Sequence, residues 1–417
     1  MTWLRSAVPL SAVTAALIAV VVGVTSSAAL VFAAARAAGA TDAELASWVL
    51  ALFVGMGVTS IGLSLRYRAP IVTAWSTPGA ALLATGLNGF SLREAIGAFV
   101  ISAALITLAG VTGWFARVMD RVPVPLAAAL LGGVLVQFGI GLFTQMQHSL
   151  ALVLTMFATY LLCRRLLPRY AVLAALAAGV LVAALTHSLH LTGVHLALAR
   201  PIFTVPAFSV PAAFGVALPL FVVTMASQNL PGVAVLRNDG YSQVPVSPLI
   251  AWTGATNLVL APFGAFGLNL AAITAAICTG PQAHPDPRKR YVAGVWTGIF
   301  YLAIGLLGAT VASLLTALPT ALVLGIAGIG LLGTISSSLT SALLTDRWRE
   351  AAVVTFLATA SGLKLLGIGS AFWGLIAGLL TALATGAIQF RKATPTVDPT
   401  AGPPSPAPAE LAPPNAP

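Results

Sequence analysis

Charge is what this chain has least of. Only 7% of its 417 residues are charged, against 59% hydrophobic, whereas soluble domains carry about a quarter charged residues. That scarcity excludes a water-soluble fold and leaves no room for a separate soluble catalytic domain. Cysteine is nearly missing as well: Cys163 and Cys278 stand in apolar segments without a partner motif, which excludes a disulfide framework and a cysteine-based metal site. There are ten acids. Asp42, Glu44, Glu94, Asp120, Asp239, Asp286, Asp346, Glu350, Asp398 and Glu410 all fall in expected loops or at the ends of apolar runs. No nucleophile with a base and no His-Glu-x-x-His set occurs, so an intramembrane enzyme is excluded. His187 and His190, with His195 nearby, lack any neighbouring carboxylate and read as solvated interfacial residues.

What fills the chain instead is long apolar runs. A hydrocarbon core about 30 Å thick needs about 20 apolar residues per helix. Splitting at charge clusters and Pro/Gly turns gives segments near 9–34, 43–65, 70–87, 93–116, 123–142, 149–164 and 170–190. A polar-to-mixed stretch, 191–210, follows, and then segments near 211–236, 247–261, 265–283, 291–316, 319–338, 349–366 and 368–390. The expected fold class is an all-α polytopic membrane protein of fourteen transmembrane segments. The first run, though preceded by Arg5 and ending in an Ala-rich stretch, is too long for a cleaved leader and reads as a retained first helix.

The formal charge of +10 is distributed as membrane topology requires, in small groups between apolar runs, and not as a nucleic-acid surface. With the N-terminus inside and fourteen crossings, sixteen of the 20 Lys and Arg residues fall on the cytoplasmic side; Arg36, Arg93, Arg200 and Lys364 fall outside. Such a bias is the positive-inside pattern and puts both termini in the cytoplasm. Seven segments (residues 1–190), a connecting loop (191–210) and seven more (211–392) make the second half enter with opposite orientation, as in an inverted repeat. Residues 393–417 contain nine prolines and are expected to form a disordered cytoplasmic tail.

The third segment of each half departs from an ordinary membrane helix. Ala69-Pro70-Ile71-Val72-Thr73-Ala74-Trp75-Ser76-Thr77 reads as extended, and Pro78-Gly79 then opens a helix-favouring run. In the second half, the stretch from Gly267 to Thr279 ends at Gly280-Pro281, so Ser-Thr-Pro-Gly and Cys-Thr-Gly-Pro are expected at matching positions. Extended backbone at membrane depth persists only if buried or facing a cavity, and half-helix N-termini suit an anion. Ordinary Pro-kinked helices are the alternative. A polar cluster, Thr224-Met225-Ala226-Ser227-Gln228-Asn229, closes the eighth segment; either it faces a binding site or it bonds neighbouring helices. A milder patch, Thr25-Ser26-Ser27, lies in the first segment.

Three of these stretches carry a family resemblance: Tyr67-Arg68-Ala69-Pro70-Ile71 through Trp75-Ser76-Thr77-Pro78-Gly79-Ala80, then Ala226-Ser227-Gln228-Asn229-Leu230-Pro231-Gly232, then Ala275-Ala276-Ile277-Cys278-Thr279-Gly280. Together they resemble the benzoate/proton symporter (BenE) family over all but the Pro-rich tail. The resemblance implies a bacterial inner-membrane carrier for benzoate, or a similar small aromatic carboxylate, coupled to protons. It implies the uracil permease-like architecture of two inverted sevens with core and gate domains, and it leaves a homodimer open. No cofactor and no metal is implied. Carried over, Trp75, Ser76, Thr77 and Gly79 would face Thr279 and Gly280 as two half-helix mouths. Gln228, Asn229 and Asn269 would add side-chain hydrogen bonds, with Ser26 nearby.

The chain departs from the nucleobase relatives of that architecture where they carry carboxylates, since Gln228 and Asn269 are amides. Neutral amides suit a substrate that brings its own negative charge, because two carboxylates in one low-dielectric cavity repel. The departure also leaves the proton carrier unassigned. Asp239, His284, Asp286 and Glu94 are the candidates near the named segments, with surface-loop roles as the alternative. Competing readings are a carrier of another small anion or of a nucleobase, and a channel, for which no repeated pore motif is present.

Overall fold

A computed structural model of the chain describes residues 9–113, 123–189, 196–366 and 368–387. The expectations attached to Arg5, Asp120, His190, His195, the tail 393–417 and the Ser26 side chain lie outside the described parts.

Helix dominates most of the described apolar segments. In chain order the elements are α1 (Leu10–Ala37), α2 (Asp42–Tyr67), β1 (Thr73–Trp75), α3 (Thr77–Gly86), α4 (Leu92–Val111), α5 (Val124–Gln145), α6 (Leu150–Leu166) and α7 (Ala171–Leu185). The second half holds α8 (Val210–Arg237), α9 (Val246–Leu260), β2 (Leu268–Leu270), α10 (Ile273–Thr279), α11 (Tyr291–Leu306), α12 (Gly308–Thr316), α13 (Thr320–Leu343), α14 (Arg349–Ala360) and α15 (Ser370–Ala384). Among the described residues, six helices are long and apolar enough to cross a membrane, and up to eight if two bent pairs each count as one span. That is fewer than the fourteen apolar segments because several segments are built of shorter pieces, such as Ala171–Leu185 and Ser370–Ala384. The protein is a mostly helical, polytopic membrane-type protein.

Two helices start where their sequences say they should. Thr41 with Glu44, and Ser91 with Glu94, form capping boxes at the starts of α2 and α4, each satisfying backbone N–H groups that the first turn leaves unpaired.

Packing falls mainly within two sets. One joins α1 to α3, α10 and α11, α2 to α11, and α4 to α9; the other joins α5 to α13 and α14, α14 to α15, and α6 to α7. Small residues permit the closest of these approaches, since lipid gives helices little hydrophobic reason to associate and backbone contact must serve. A Cβ added to Gly298 of α11 would lie 2.7 Å from the Gly57 carbonyl of α2. Across the first set runs the described part of the connecting loop, held by backbone bonds. Ile202 N–H donates to Ser47 Oγ at 2.8 Å, Thr204 N–H to the Pro262 carbonyl at 2.8 Å and Ala207 N–H to the Arg93 carbonyl at 2.8 Å.

Candidate functional site

The two interrupted segments meet in the middle of the first helix set. β1 pairs antiparallel with β2, in the register Thr73 with Leu270, Ala74 with Asn269 and Trp75 with Leu268. Two further bonds extend the ladder, Ser76 N–H to the Gly267 carbonyl and Ala271 N–H to the Val72 carbonyl, each 2.9 Å. Side chains alternate faces along a strand, so Thr73, Trp75, Leu268 and Leu270 share one face while Ala74 and Asn269 share the other.

The first face is fastened to α1 and α2. Thr73 Oγ1 lies 2.7 Å from Thr59 Oγ1 and 2.9 Å from Ser60 Oγ, and donates to the Met56 carbonyl at 2.9 Å. Trp75 is buried, donates through Nε1 to Ser27 Oγ at 3.0 Å and meets Phe53 edge to face at 5.3 Å. Trp75, expected at the substrate, has both its ring and its N–H engaged within the protein, so its indole anchors the strand.

After β1 the chain turns into α3. Ser76 is its N-cap, with Oγ accepting from Gly79 N–H at 3.0 Å. Ser76 thus holds the helix mouth in shape, while Thr77, the first helical residue, remains half-buried. Gly79 permits close approach, since a Cβ there would sit 2.7 Å from Leu220 Cδ1 of α8. Gly267, opposite, has φ +54, and its added Cβ would lie 2.9 Å from Ser76 Cβ and 3.2 Å from Thr224 Oγ1.

α8 supplies the third side of the site through two π-helical turns, Ala213–Ala217 and Met225–Asn229. In each, the closing bond spans five residues: Leu218 N–H to Ala213 O, and Leu230 N–H to Met225 O. Each donor directly precedes a proline, Pro219 or Pro231. Proline lacks an N–H and its ring collides with the carbonyl four residues earlier, so the widened turn relieves a collision that a regular turn would create. Such turns recur at functional sites. The second one carries Gln228, half-buried, and Asn229, fully buried.

Asn229, expected to add a hydrogen bond to substrate, has its amide engaged within the protein. Its Oδ1 accepts from Leu270 N–H at 2.9 Å and its Nδ2 donates to Met225 Sδ at 3.2 Å, which ties α8 to β2. Losing such a partner from a buried N–H costs about 1–3 kcal/mol in water-soluble proteins and less in a bilayer, where measured interhelical bonds average about 0.6 kcal/mol. Asn269 donates to the Gly267 carbonyl at 2.8 Å. Its Oδ1, like Thr224 Oγ1, is buried without a hydrogen-bond partner.

A correction concerns α10. Thr279 and Gly280 were expected to open a half-helix opposite α3, yet the helix runs from Ile273 to Thr279 with Gly280 as its C-cap. The end that follows β2 is thus Ala272-Ile273, and Thr279 and Gly280 lie at the far end. The Gly-Pro pair was the misleading signal, because glycine and proline punctuate both helix starts and helix stops. α10 buries Thr274, Ala275, Cys278 and Thr279 but leaves Ile273 and Ala276 exposed, a face that periodicity in so short a segment could not reveal.

The four expected proton carriers divide. Glu94 is committed to Ser91, accepting from its N–H at 3.0 Å and its Oγ at 2.8 Å. His284 and Asp286 bond one another's turn, with Asp286 N–H donating to His284 Nδ1 at 3.0 Å. Asp239, just past α8, accepts a hydrogen bond from Thr279 Oγ1 at the end of α10.

Between α8 and the second helix set lies a cleft of about 270 Å³. On one side it is lined by Ala226, Ser227, Leu230 and Pro231 of α8, and on the other by Thr334, Ser337, Ser338 and Ser341 of α13, with α5 as the floor. Spacings of three and four in the sequence place these hydroxyl residues on one helix face.

Comparison with known proteins adds the family. A profile described as "Benzoate membrane transport protein" (BenE) matches residues 6–384. "Inner membrane protein YdcO" of Escherichia coli (strain K12) is 49% identical over 371 residues, covering 89% of this chain and 95% of that protein. "Benzoate membrane transport protein" of Acinetobacter baylyi is 38% identical over 371 residues, 89% of this chain and 94% of its own. Among solved structures, SLC26A9 aligns with a TM-score of 0.57 at 13% identity, over 91% of this chain and 66% of that one. The murine Slc26a9 anion transporter in its inward-facing state aligns with a TM-score of 0.54 at 13% identity, over 93% and 70%. At such identity these structures establish the shared fold alone. With the profile spanning nearly all of the described residues, the chain belongs to the BenE benzoate membrane transport family, and it is a transport protein and not an enzyme.

Proposed function

We propose that the protein carries benzoate, or a similar small aromatic carboxylate, across the bacterial inner membrane together with protons, by alternating access. In this reading its fourteen segments form two inverted sevens, 1–190 and 211–392, with both termini in the cytoplasm. The helix set containing β1 and β2 is the core and the set around α5 and α13 is the gate. The observation that carries the reading is the chemistry around the strand pair. Amides and hydroxyls are present at Gln228, Asn269, Thr77 and Thr224, an apolar face is exposed on α10, and no carboxylate belongs to β1, β2, α3 or the Met225–Asn229 turn. An anionic group entering that space meets donors at Gln228, Thr77 and Thr224 without a repelling charge, and a ring has Ile273 and Ala276 to lie against. The relative named as a benzoate transport protein supports the same substrate, and the inner-membrane name of the other supports the location.

Uptake of labelled benzoate into proteoliposomes under an inward proton gradient tests this directly. Wild type is expected to accumulate benzoate saturably. Gln228→Ala and Thr77→Val are expected to raise the half-saturating concentration, whereas Ser76 is left unchanged because its loss would unmake the α3 cap. Unlabelled uracil or sulfate competing as well as benzoate would turn the assignment to a nucleobase or another anion. Linear, non-saturable flux would turn it to a channel.

A further inference from the structure

The helix α8 is held differently towards its two ends. Beside its second π-helical turn lies the cleft, with Ala226, Ser227 and Pro231 lining one side and residues of α5 and α13 the other. Beside its first π-helical turn the same helix is closed against the second helix set. Phe214 meets Phe372 of α15 edge to face at 5.8 Å. A Cβ added to Gly215 would stand 3.1 Å from the Gly369 amide nitrogen and 3.3 Å from Ile368 Cα, so the two backbones are in contact there. The molecule is shut at one end of α8 and open at the other, the asymmetry that one state of an alternating-access carrier requires.

At the shut end a single long side chain reaches from one helix set to the other. Lys364, between α14 and α15, donates through Nζ to the Asn88 carbonyl at 2.8 Å, and the same ammonium lies 5.2 Å from the centre of the Phe90 ring. Asn88 and Phe90 belong to the short connection from α3 to α4. Gly89, between them, has φ +88, and a Cβ added there would come within 3.0 Å of Nζ, so glycine keeps open the place where the ammonium sits. The base of the lysine is braced. Leu365 and Ile368 exchange backbone hydrogen bonds of 3.1 and 2.9 Å, and Trp373 Nε1 donates to the Leu365 carbonyl at 3.1 Å.

The ion pairs among the described residues join Arg36 to Asp42 and Arg349 to Asp346; Lys364 is in neither. An exposed ammonium held by a carbonyl and a ring is bound weakly, which suits a contact that must break and re-form in every cycle. Charge along the chain marks the same end. Lys364, with Arg93 in the first turn of α4, is one of the four basic residues that the positive-inside pattern leaves outside, whereas Arg237 and Arg347 follow the cleft ends of α8 and α13.

We infer that Lys364 is the latch of the outer gate: bonded to Asn88, it holds the two helix sets together on the outer side while the cleft stands open on the inner one. This rests on the transport reading for its purpose and its orientation, and goes beyond it in naming the contact that closes the outer side. When the latch lets go, the sets part at Gly215 and Gly369. Thr77 then becomes reachable from outside, because α3 begins at Thr77 and runs directly into the connection that Lys364 holds.

The test uses full-length protein with Cys163 and Cys278 replaced by alanine and one reporter cysteine added. Right-side-out vesicles are treated with a membrane-impermeant maleimide and the labelling rate is measured. Gly369→Cys reports the seam itself, since a Cβ there meets only the Gly215 carbonyl oxygen, at 3.7 Å. Thr77→Cys reports the depth of the site. Adding Lys364→Met is expected to raise both rates by about fivefold, the scale of one exposed charged hydrogen bond and one cation–π contact together. Lys289→Met, at an exposed lysine after α10, is expected to leave both rates unchanged. No rise in Lys364→Met, or an equal rise in Lys289→Met, overturns the latch. A rise at Gly369→Cys with none at Thr77→Cys overturns it too, because the lysine would then tie down only its own turn. A rise confined to inside-out vesicles overturns the outer placement and, with it, the orientation of the proposed carrier. Labelling needs no substrate, so absent benzoate uptake with both rates raised as expected refutes the substrate reading alone.

Discussion

At Gly267 the chain does something that no other residue type does comfortably. With φ +54 its backbone is in the left-handed region, and an added Cβ would stand 2.9 Å from Ser76 Cβ, across the first rung beyond the strand pair. The conformational cost alone is about 1–2 kcal/mol for an L-residue, and the collision adds to it by forcing β1 and β2 apart. Gly267→Ala is therefore expected to lower the melting temperature and abolish benzoate uptake. Gly39→Ala, at φ +75 with nothing within 4 Å, carries the conformational cost without the collision and is expected to keep uptake. Equal uptake by the two variants would remove the strand pair from the mechanism. The same scale separates residues that looked alike in the sequence. Asn229, adjacent to Gln228, is tied to Leu270, whereas Gln228 stays half-buried, so under the proposed function the substrate contact falls to Gln228.

Among elements, α8 shows how two prolines shape a helix without breaking it. Leu218-Pro219 and Leu230-Pro231 each end a π-helical turn, and the second turn sets the angular position of Gln228 and Asn229. Replacing Pro231 by alanine restores the missing N–H and removes the ring collision, so the turn can tighten to regular α-helix and rotate both side chains. Pro231→Ala is expected to remain folded by size-exclusion chromatography and to raise the half-saturating benzoate concentration in uptake. An unchanged saturation curve would mean that the widened turn has no bearing on binding. The proline motif was visible in the sequence as Asn-Leu-Pro-Gly; the π turn was not, because a proline's effect depends on whether neighbouring helices hold the carbonyls it displaces.

For the molecule as a whole, the hydroxyl-lined cleft marks the seam between the two helix sets. Alternating access requires those sets to move against each other. A disulfide between Ala128→Cys of α5 and Ser227→Cys of α8, with Cys163 and Cys278 replaced by alanine, would join two lining residues of the cleft from different helices. Oxidation is expected to stop uptake and reduction to restore it. Full uptake with the cross-link demonstrably formed would show that the seam does not open during transport.

Much of this protein is written locally. The scarcity of charge made it a membrane protein, since each span must bury its backbone polar groups by hydrogen bonding along itself, and the apolar runs placed the long helices such as α1, α2, α4 and α5 within a few residues. The family was legible from three short stretches, and the interruption near Thr73–Trp75 from β-branched and aromatic residues before Pro78-Gly79. Tertiary structure alone decided what those pieces do. β1 has its partner in the other half of the chain, and no local signal can specify a strand pair of three residues whose hydrogen bonds close only when two distant segments meet. The direction of α10, misread from Gly280-Pro281, followed from that pairing. So did the meeting of Asp239 with Thr279, which brings the end of one helix to the end of another and which no spacing along the chain encodes.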